Sequence, residues 1–317
     1  MRVRHALVLL AVAALAAGCA ADTEPVVVRP AEVATTPPAY DARLEPAAAV
    51  LAVVPADATV LEVTDLDEIR FALGFGTLNS RSEPAVLRRF WSQAEREAPL
   101  LSRGMLRTPG TAGTDARRLG FTQDDVSWEA HFTGPSGPGY VVKFRDGLDM
   151  RLVQRAARAS GSSLRGATVR RETHLATAGT TSEPAQSWAA EPGLTELVGD
   201  KAGSTYVSRD CLSPDEALGG GAGDRAALDP LDELDAFSVG FGGTLVTVRL
   251  GAGRADVFDR ARLARAGAQR GTAFGTAYRQ PVVGDPSTGR IGVRLGDGPL
   301  AARLAQQRRL PFAVCSP

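Results

Sequence analysis

The chain has 317 residues, enough for one large or two medium domains, and 36 Lys and Arg balance 36 Asp and Glu. A formal net charge of zero favours neither an acidic nor a basic partner. The arginines lie scattered among acids with no aromatic-interleaved basic strip, which argues against nucleic-acid binding. Lys occurs only at Lys143 and Lys201, a bias that together with the many Ala, Gly and Pro reads as the codon usage of a high-GC genome.

Arg2, Arg4 and His5 precede an apolar run from Ala6 to Ala17, the layout of a secretory signal over residues 1–18. The run is too short to cross a bilayer comfortably. Leu15-Ala16-Ala17-Gly18-Cys19 resembles the lipobox of bacterial lipoproteins, with Ala16 where that class favours Leu. The resemblance implies that Cys19 becomes the diacylglyceryl-modified first residue of the mature protein. Two or more acyl chains give stable attachment where one gives little. The expected location is therefore extracytoplasmic, held to the cell membrane by lipid at Cys19. Ordinary signal cleavage, with Cys19 an unmodified residue, is the alternative. Residues 19–46 carry Pro25, Pro30, Pro37, Pro38 and Pro46 among Ala, Thr and Val, and read as a semi-extended tether. Once Cys19 is acylated, Cys211 and Cys315 remain as an even pair in an oxidising compartment, and a disulfide between them is expected. Free buried thiols are the alternative. No metal site is expected: His131 and His174 are isolated, and no Cys-x-x-Cys or His-x-x-x-His spacing occurs.

The folded part begins near Ala47. A strand over Thr59–Asp65 leads into a helix over Leu66–Leu73 capped by Asp65 or Thr64 and stopped by Gly74 and Gly76. Ser82–Ala98 predicts a helix with Ser82 as cap, Pro84 in the first turn, and Val86, Leu87, Phe90, Trp91 and Ala94 on one face. A loop rich in Gly, Thr and Pro then runs to Arg118. Val126–Thr133 and Gly139–Phe144 flank Gly134-Pro135-Ser136-Gly137-Pro138, a hairpin signal, and a helix over Leu148–Ser160 follows. Thr168–Thr177 reads as a strand, Ser182–Ala190 as a helical piece capped by Ser182, Leu194–Val198 as a short helix, and Ser204–Ser208 as a strand. Gly219–Gly223 reads as a flexible loop.

The strand–turn–strand–turn–helix pattern recurs twice more. One copy comprises Phe237–Phe241, Thr244–Leu250 and a helix over Ala255–Ala266; the other comprises Ala277–Val283, Gly289–Leu295 and a helix over Pro299–Arg308. Each unit turns on glycines, as in Gly251-Ala252-Gly253 and Gly296-Asp297-Gly298. The expected fold is α+β, antiparallel hairpins with covering helices. Two related halves, over 47–208 and 209–317, come first, and one continuous sheet comes second. Val54-Pro55-Ala56-Asp57-Ala58 with the following strand and helix resembles the opening of an uncharacterised family of bacterial extracytoplasmic proteins, over about residues 47–159. That resemblance implies a fold and no catalytic residue.

Chemistry is sparse. Gly219-Gly220-Gly221-Ala222-Gly223 is followed by Asp224-Arg225, not by the Gly-Lys-Ser/Thr that a phosphate loop needs. Gly251-Ala252-Gly253 lacks the third glycine and the parallel βαβ setting of a dinucleotide turn. The acids Asp229, Asp232, Glu233 and Asp235 lack calcium-loop spacing. Asp124-Asp125 with Glu129 offers a carboxylate pair, though Asp before a strand more simply makes a turn. None of Ser127, Ser136 and Ser208 lies in a Gly-x-Ser-x-Gly elbow. Trp91, Trp128 and Trp188 fit core positions. No catalytic residue, cofactor or nucleic-acid partner is therefore expected. The first reading is a non-enzymatic, membrane-anchored binding or scaffold module for an envelope partner. The second is a small-molecule or lipid binder with a pocket between the halves. The third is a hydrolase, favoured by a cleft holding His131 or His174 beside a carboxylate.

Overall fold

The computed structural model describes residues 37–107, 118–219, 225–269 and 271–316. The expected signal, Cys19, most of the tether and glycines 220, 221 and 223 lie outside the described residues.

After irregular residues 37–45 comes a one-turn helix, α1 (Pro46–Val50), that the tether reading did not anticipate at its Pro46 end. β1 (Val60–Asp65) runs directly into α2 (Leu66–Ala72) because the Asp65 carboxylate accepts the Glu68 amide at 3.0 Å and caps the helix. α3 (Pro84–Glu97) begins on its proline. Ser82 does not cap it; its hydroxyl accepts the Asn79 amide at 3.1 Å. β2 (Val126–Thr133) and β3 (Gly139–Phe144) make the expected hairpin, and α4 (Met150–Arg158) follows.

The run expected as one strand over 168–177 divides into β4 (Thr168–Arg170) and β5 (Leu175–Ala178). His174, at a φ of 54°, closes the turn between them, and the two halves of the run pair with each other, Val169 opposite Ala176. The expected helix over 182–190 is two separate single turns, Pro184–Gln186 and Trp188–Ala190, and Ser182 caps neither. The remaining elements are α5 (Pro192–Thr195), β6 (Ser204–Arg209), α6 (Pro214–Leu218), β7 (Ala236–Gly242), β8 (Leu245–Arg249), α7 (Val257–Gly267), α8 (Ala273–Ala277), β9 (Tyr278–Asp285), β10 (Arg290–Leu295) and α9 (Gly298–Gln306).

The ten strands form one antiparallel sheet in the order β4-β5-β3-β2-β1-β6-β7-β8-β10-β9, and the fold is α+β. β6 pairs with β1 along one edge and with β7 along the other, so the sheet runs unbroken past residue 208. A buried strand must satisfy both rows of its backbone groups, and this arrangement does so for β6. Residues 36–317 form one compact unit.

The two faces of the sheet are covered unequally. On one face, α3 and α4 pack Phe90, Trp91 and Val153 against Val142 and Phe144, and α7 and α9 pack Val257 and Leu304 against the residues of β7, β8 and β10. On the other face, residues 47–58 and 188–198 bring Val54, Trp188 and Leu197 onto Leu61, Phe132 and Val207. That cover ends near β7. Beyond it, on β8 and β9, Leu245 and Val283 are 51% and 60% exposed. The outer edge of β9 is partly blunted, since Arg265 donates to the carbonyl of Val282 at 3.1 Å.

Cys211 and Cys315 are disulfide-bonded, with Cα atoms 4.8 Å apart. Such bonds persist in oxidising compartments, which agrees with an extracytoplasmic location. Among the described residues no helix is long and apolar enough to cross a membrane.

Candidate functional site

Between the two apolar clusters of the helix-covered face runs a polar seam. Strand register builds it: Glu62 stands opposite His131 on one side and Tyr206 on the other, and Thr64 stands opposite Glu129 and Ser204. Gln306 of α9 closes it from above, donating to Glu62 at 2.9 Å and to the carbonyl of Leu101 at 2.7 Å. Glu129 is fully buried; its Oε2 accepts from Gln123 at 2.9 Å and from the Met105 amide at 3.2 Å. Its Oε1 lies 3.6 Å from His131 Nε2, and neither atom has a hydrogen-bond partner. The hydroxyl of Ser204, one strand away, is buried and unpartnered as well.

Burial pushes the Glu129 carboxyl up, but the His131 imidazole, the Ser102 hydroxyl and the Met105 amide outweigh it and hold the group below the usual carboxylate range. Glu62 goes the other way: burial raises it, and Gln306 and His131 only partly offset that.

The seam sets His131 beside a carboxylate, the observation named above as favouring a hydrolase. A serine–histidine–carboxylate relay needs the hydroxyl on the imidazole. Here the nearby Ser102 hydroxyl acts on the carboxylate Glu129, and its oxygen accepts the Gly104 amide at 3.1 Å. The arrangement suits a buried polar strut between the two clusters.

The other residues singled out in the sequence are dispersed. Asp124 accepts the Trp91 indole N–H at 2.8 Å, and Asp125 accepts the Ser80 hydroxyl at 2.8 Å and the Thr122 amide at 3.0 Å. Both acids serve the turn and helix that precede β2, and neither meets Glu129. Gly251 and Gly253 both have positive φ, and Gly289 approaches Gly251 so closely that a Cβ there would lie 1.6 Å from the Gly251 carbonyl oxygen. The glycine turn is a close backbone contact between hairpins. In the acidic cluster, the Asp232 carbonyl accepts Arg254 and Arg260, and among the described residues no group of three or more His, Cys, Asp or Glu side chains is placed to hold a metal.

A pocket of about 490 Å³ lies where the N-terminal cover meets the C-terminal hairpins, walled by Glu191, Leu194, Arg209, Asp235, Leu250 and Arg254. Arg209 pairs with Glu191 and lies over the Trp188 ring at 5.5 Å, while its Nε is buried without a partner.

The sequence also left the open face of the C-terminal strands unassigned. Register places Gly240, Thr247, Gly292 and Val283 in one row across β7, β8, β10 and β9. Arg249, Arg290 and Asp285 make the row on one side, and Leu245, Arg294 and Arg279 the row on the other. The result is a smooth floor of small side chains between two arginine-bearing walls.

No family model and no curated protein matches the chain. Two solved structures align with much of it, crystal forms I and III of TP0453. They share 7% and 9% identity, cover 84% and 80% of this chain and 98% and 96% of their own, and give TM-scores of 0.35 and 0.34. A likeness of that size carries no argument about function, which rests on the geometry.

Alternating polar and apolar residues in Leu245–Arg249 and Arg290–Leu295 were the signal for this open face. The seam gave no such signal: Glu129 and His131 alternate with Trp128, Ala130 and Phe132 just as solvent-facing residues would.

Proposed function

We propose that the protein is a non-enzymatic extracytoplasmic module, tethered to the membrane by lipid at Cys19, that docks an acidic envelope protein on the open face of β8, β10 and β9. The unequal cover of the sheet supports this reading most directly. An antiparallel sheet tolerates a solvated face, but exposed Leu245 and Val283 around a glycine-smoothed floor suit a surface that a partner covers. The walls carry Arg249, Arg290, Arg294 and Arg279 against Asp285 and the nearby Asp200, which pairs with Arg249. In a chain with no net charge this local excess of cations selects an acidic surface.

The test is site-specific photocrosslinking in cells from Thr247 of the anchored protein, with and without Gly292→Trp. Gly292 has ordinary φ and room for a side chain, so the substitution fills the floor without straining the backbone. One acidic envelope protein crosslinked from Thr247, and lost in the variant, is the expected result. The same crosslink in Gly292→Trp at equal yield overturns the proposal.

A second reading, a small-molecule binder with its site between the halves, draws on the 490 Å³ pocket and the unpartnered Arg209 Nε. Its charged walls suit a polar ligand and not a lipid. Ligand-dependent protection of that pocket, with the open face unaffected, is the outcome that favours it.

A further inference from the structure

All three tryptophans are core residues, and two of them place their indole N–H: Trp91 on Asp124 at 2.8 Å, and Trp188 on the carbonyl of Ala58 at 3.1 Å. Trp128 is 6% exposed, and its N–H has no acceptor among the described residues. The ring is buried, but its N–H, unlike the unpartnered atoms sealed in the seam, stays in reach of solvent and so of a ligand. Trp128 lines an open pocket of about 440 Å³, remote from the face of β8, β10 and β9, together with Asp65, Ser127, Lys143, Arg145 and Asp146. The volume lies within the range of small-ligand sites.

Register explains how the pocket is built. Asp65, Trp128 and Lys143 stand opposite one another on β1, β2 and β3. The β2–β3 register shifts between Val126 and Trp128, the kind of irregularity that re-aims a side chain. Neighbouring strands are about 4.8 Å apart, so the row spans about 10 Å.

Its bonding capacity is only partly used. Asp65 accepts the Glu68 amide on Oδ1 at 3.0 Å and is also stabilised by the Asp67 amide; a carboxylate has about four acceptor sites, so capacity for a further donor remains. Lys143 donates to Asp146 at 2.8 Å and to the Phe144 carbonyl at 3.1 Å, two of its three protons. The indole N–H is wholly free. What remains is one acceptor and two donors in a row. The surrounding charges balance once Asp65 is counted: Asp67 holds both Arg70 at 2.9 Å and Arg145, Asp146 holds Lys143, and the Asp65 carboxylate makes three anions for three cations. A ligand bearing net charge would bring an unpaired charge into this balanced set, at a desolvation cost. Hydroxyl groups both donate and accept, so they can meet one acceptor and two donors without adding charge.

We infer that the Asp65–Trp128–Lys143 row is a binding subsite for a neutral saccharide unit. It is independent of the protein-docking face proposed above.

The test is NMR of the full mature chain with ¹⁵N-labelled indoles, assigned by Trp→Phe variants and titrated separately with maltotriose, mannotriose and chitotriose. With at least one sugar, the Trp128 cross-peak should move saturably while those of Trp91 and Trp188 stay. Lys143→Met and Asp65→Asn, both on the pocket wall, should each weaken that binding severalfold with all three indole peaks retained. Trp128→Phe should abolish calorimetric binding; if it fails to fold, the two wall variants decide. Gly292→Trp should leave sugar binding unchanged, so failure of the docking proposal is distinguishable from failure here. A Trp128 peak that no sugar moves, or that moves with glycine or acetate but with no sugar, overturns the inference.

Discussion

Removing the disulfide is the perturbation whose size follows most directly from the structure. Cys211 and Cys315 are 104 positions apart in sequence. For a loop of order 100 residues the chain-entropy relation gives about 4.7 kcal/mol at 25 °C, an upper figure because engineered and native bridges often deliver less. The native state itself should change little, because the tail has other holds. Leu212 N–H donates to the Ala313 carbonyl at 2.8 Å, Cys315 N–H donates to the Leu212 carbonyl at 2.7 Å, and the buried Arg260 donates to the carbonyls of Phe312 and Val314. The loss therefore falls mainly on the unfolded state, which regains the conformations the bridge forbade. At roughly 2–4 °C per kcal/mol, Cys211→Ser should lower Tm by about 10 °C. The assay is thermal melting followed by far-ultraviolet circular dichroism without reductant, alongside Cys315→Ser, the double variant and the reduced wild type. All four should melt together below the oxidised protein, with native-like amide exchange at Leu212 and Cys315 before the transition. Coincident melting of the variants and the oxidised wild type refutes the reasoning. So does early exchange of the tail, which would mean that the bridge, not the hydrogen bonds, holds it.

Cys19→Ala should move the protein from the membrane fraction to the soluble extracytoplasmic fraction; retention at the membrane after a high-salt wash would count against the lipid anchor. Arg260→Met should destabilise the fold by about 3–5 kcal/mol, measured by urea unfolding, because it breaks a fully buried pair with Asp256 and strips a donor from three carbonyls. A loss near that of an average surface substitution would show the pair to be dispensable. Burial pushes the Asp65 carboxyl up to about 6. A raised folded-state pKa favours the protonated native form, so this contribution is complete below the unfolded value of about 4 and is lost as pH rises through about 6. Asp65→Asn keeps the helix cap and should remove that decline, so the variant gains on wild type by up to about 3 kcal/mol between pH 4 and 7. A constant difference between the two proteins over that range contradicts the assignment.

What could be read from the sequence was what depends on neighbours along the chain. β2, β3 and the hairpins of β7–β8 and β9–β10 lie where period-two runs and glycine turns put them, because a hairpin is a local object. The same locality explains the errors. The run 168–177 has strand-like residues throughout, and only pairing with itself forces the turn at His174. The pairing of β6 with both β1 and β7 likewise depends on strands far apart in sequence, so the unbroken sheet ranked second to two halves.

The candidate sites divide along the same line. In Arg290-Ile291-Gly292-Val293-Arg294 alternation marks one face as wet, and in the fold that face is open. In Trp128-Glu129-Ala130-His131-Phe132 the same alternation is present, yet Glu129 is sealed under Gln123, Met105 and Ser102. Alternation reports which residues are polar, not whether a distant segment will be laid over them. The segments that decide this are the cover at 47–58 and 188–198, which shields one face of the N-terminal strands and stops short of β8, and the 101–106 loop, which roofs the seam. On the readings proposed above, function turns on where that cover ends. The strands beyond it keep Leu245, Val283 and the arginine rows in reach of a partner, and at its margin the Asp65–Trp128–Lys143 row keeps an indole donor in reach of a ligand.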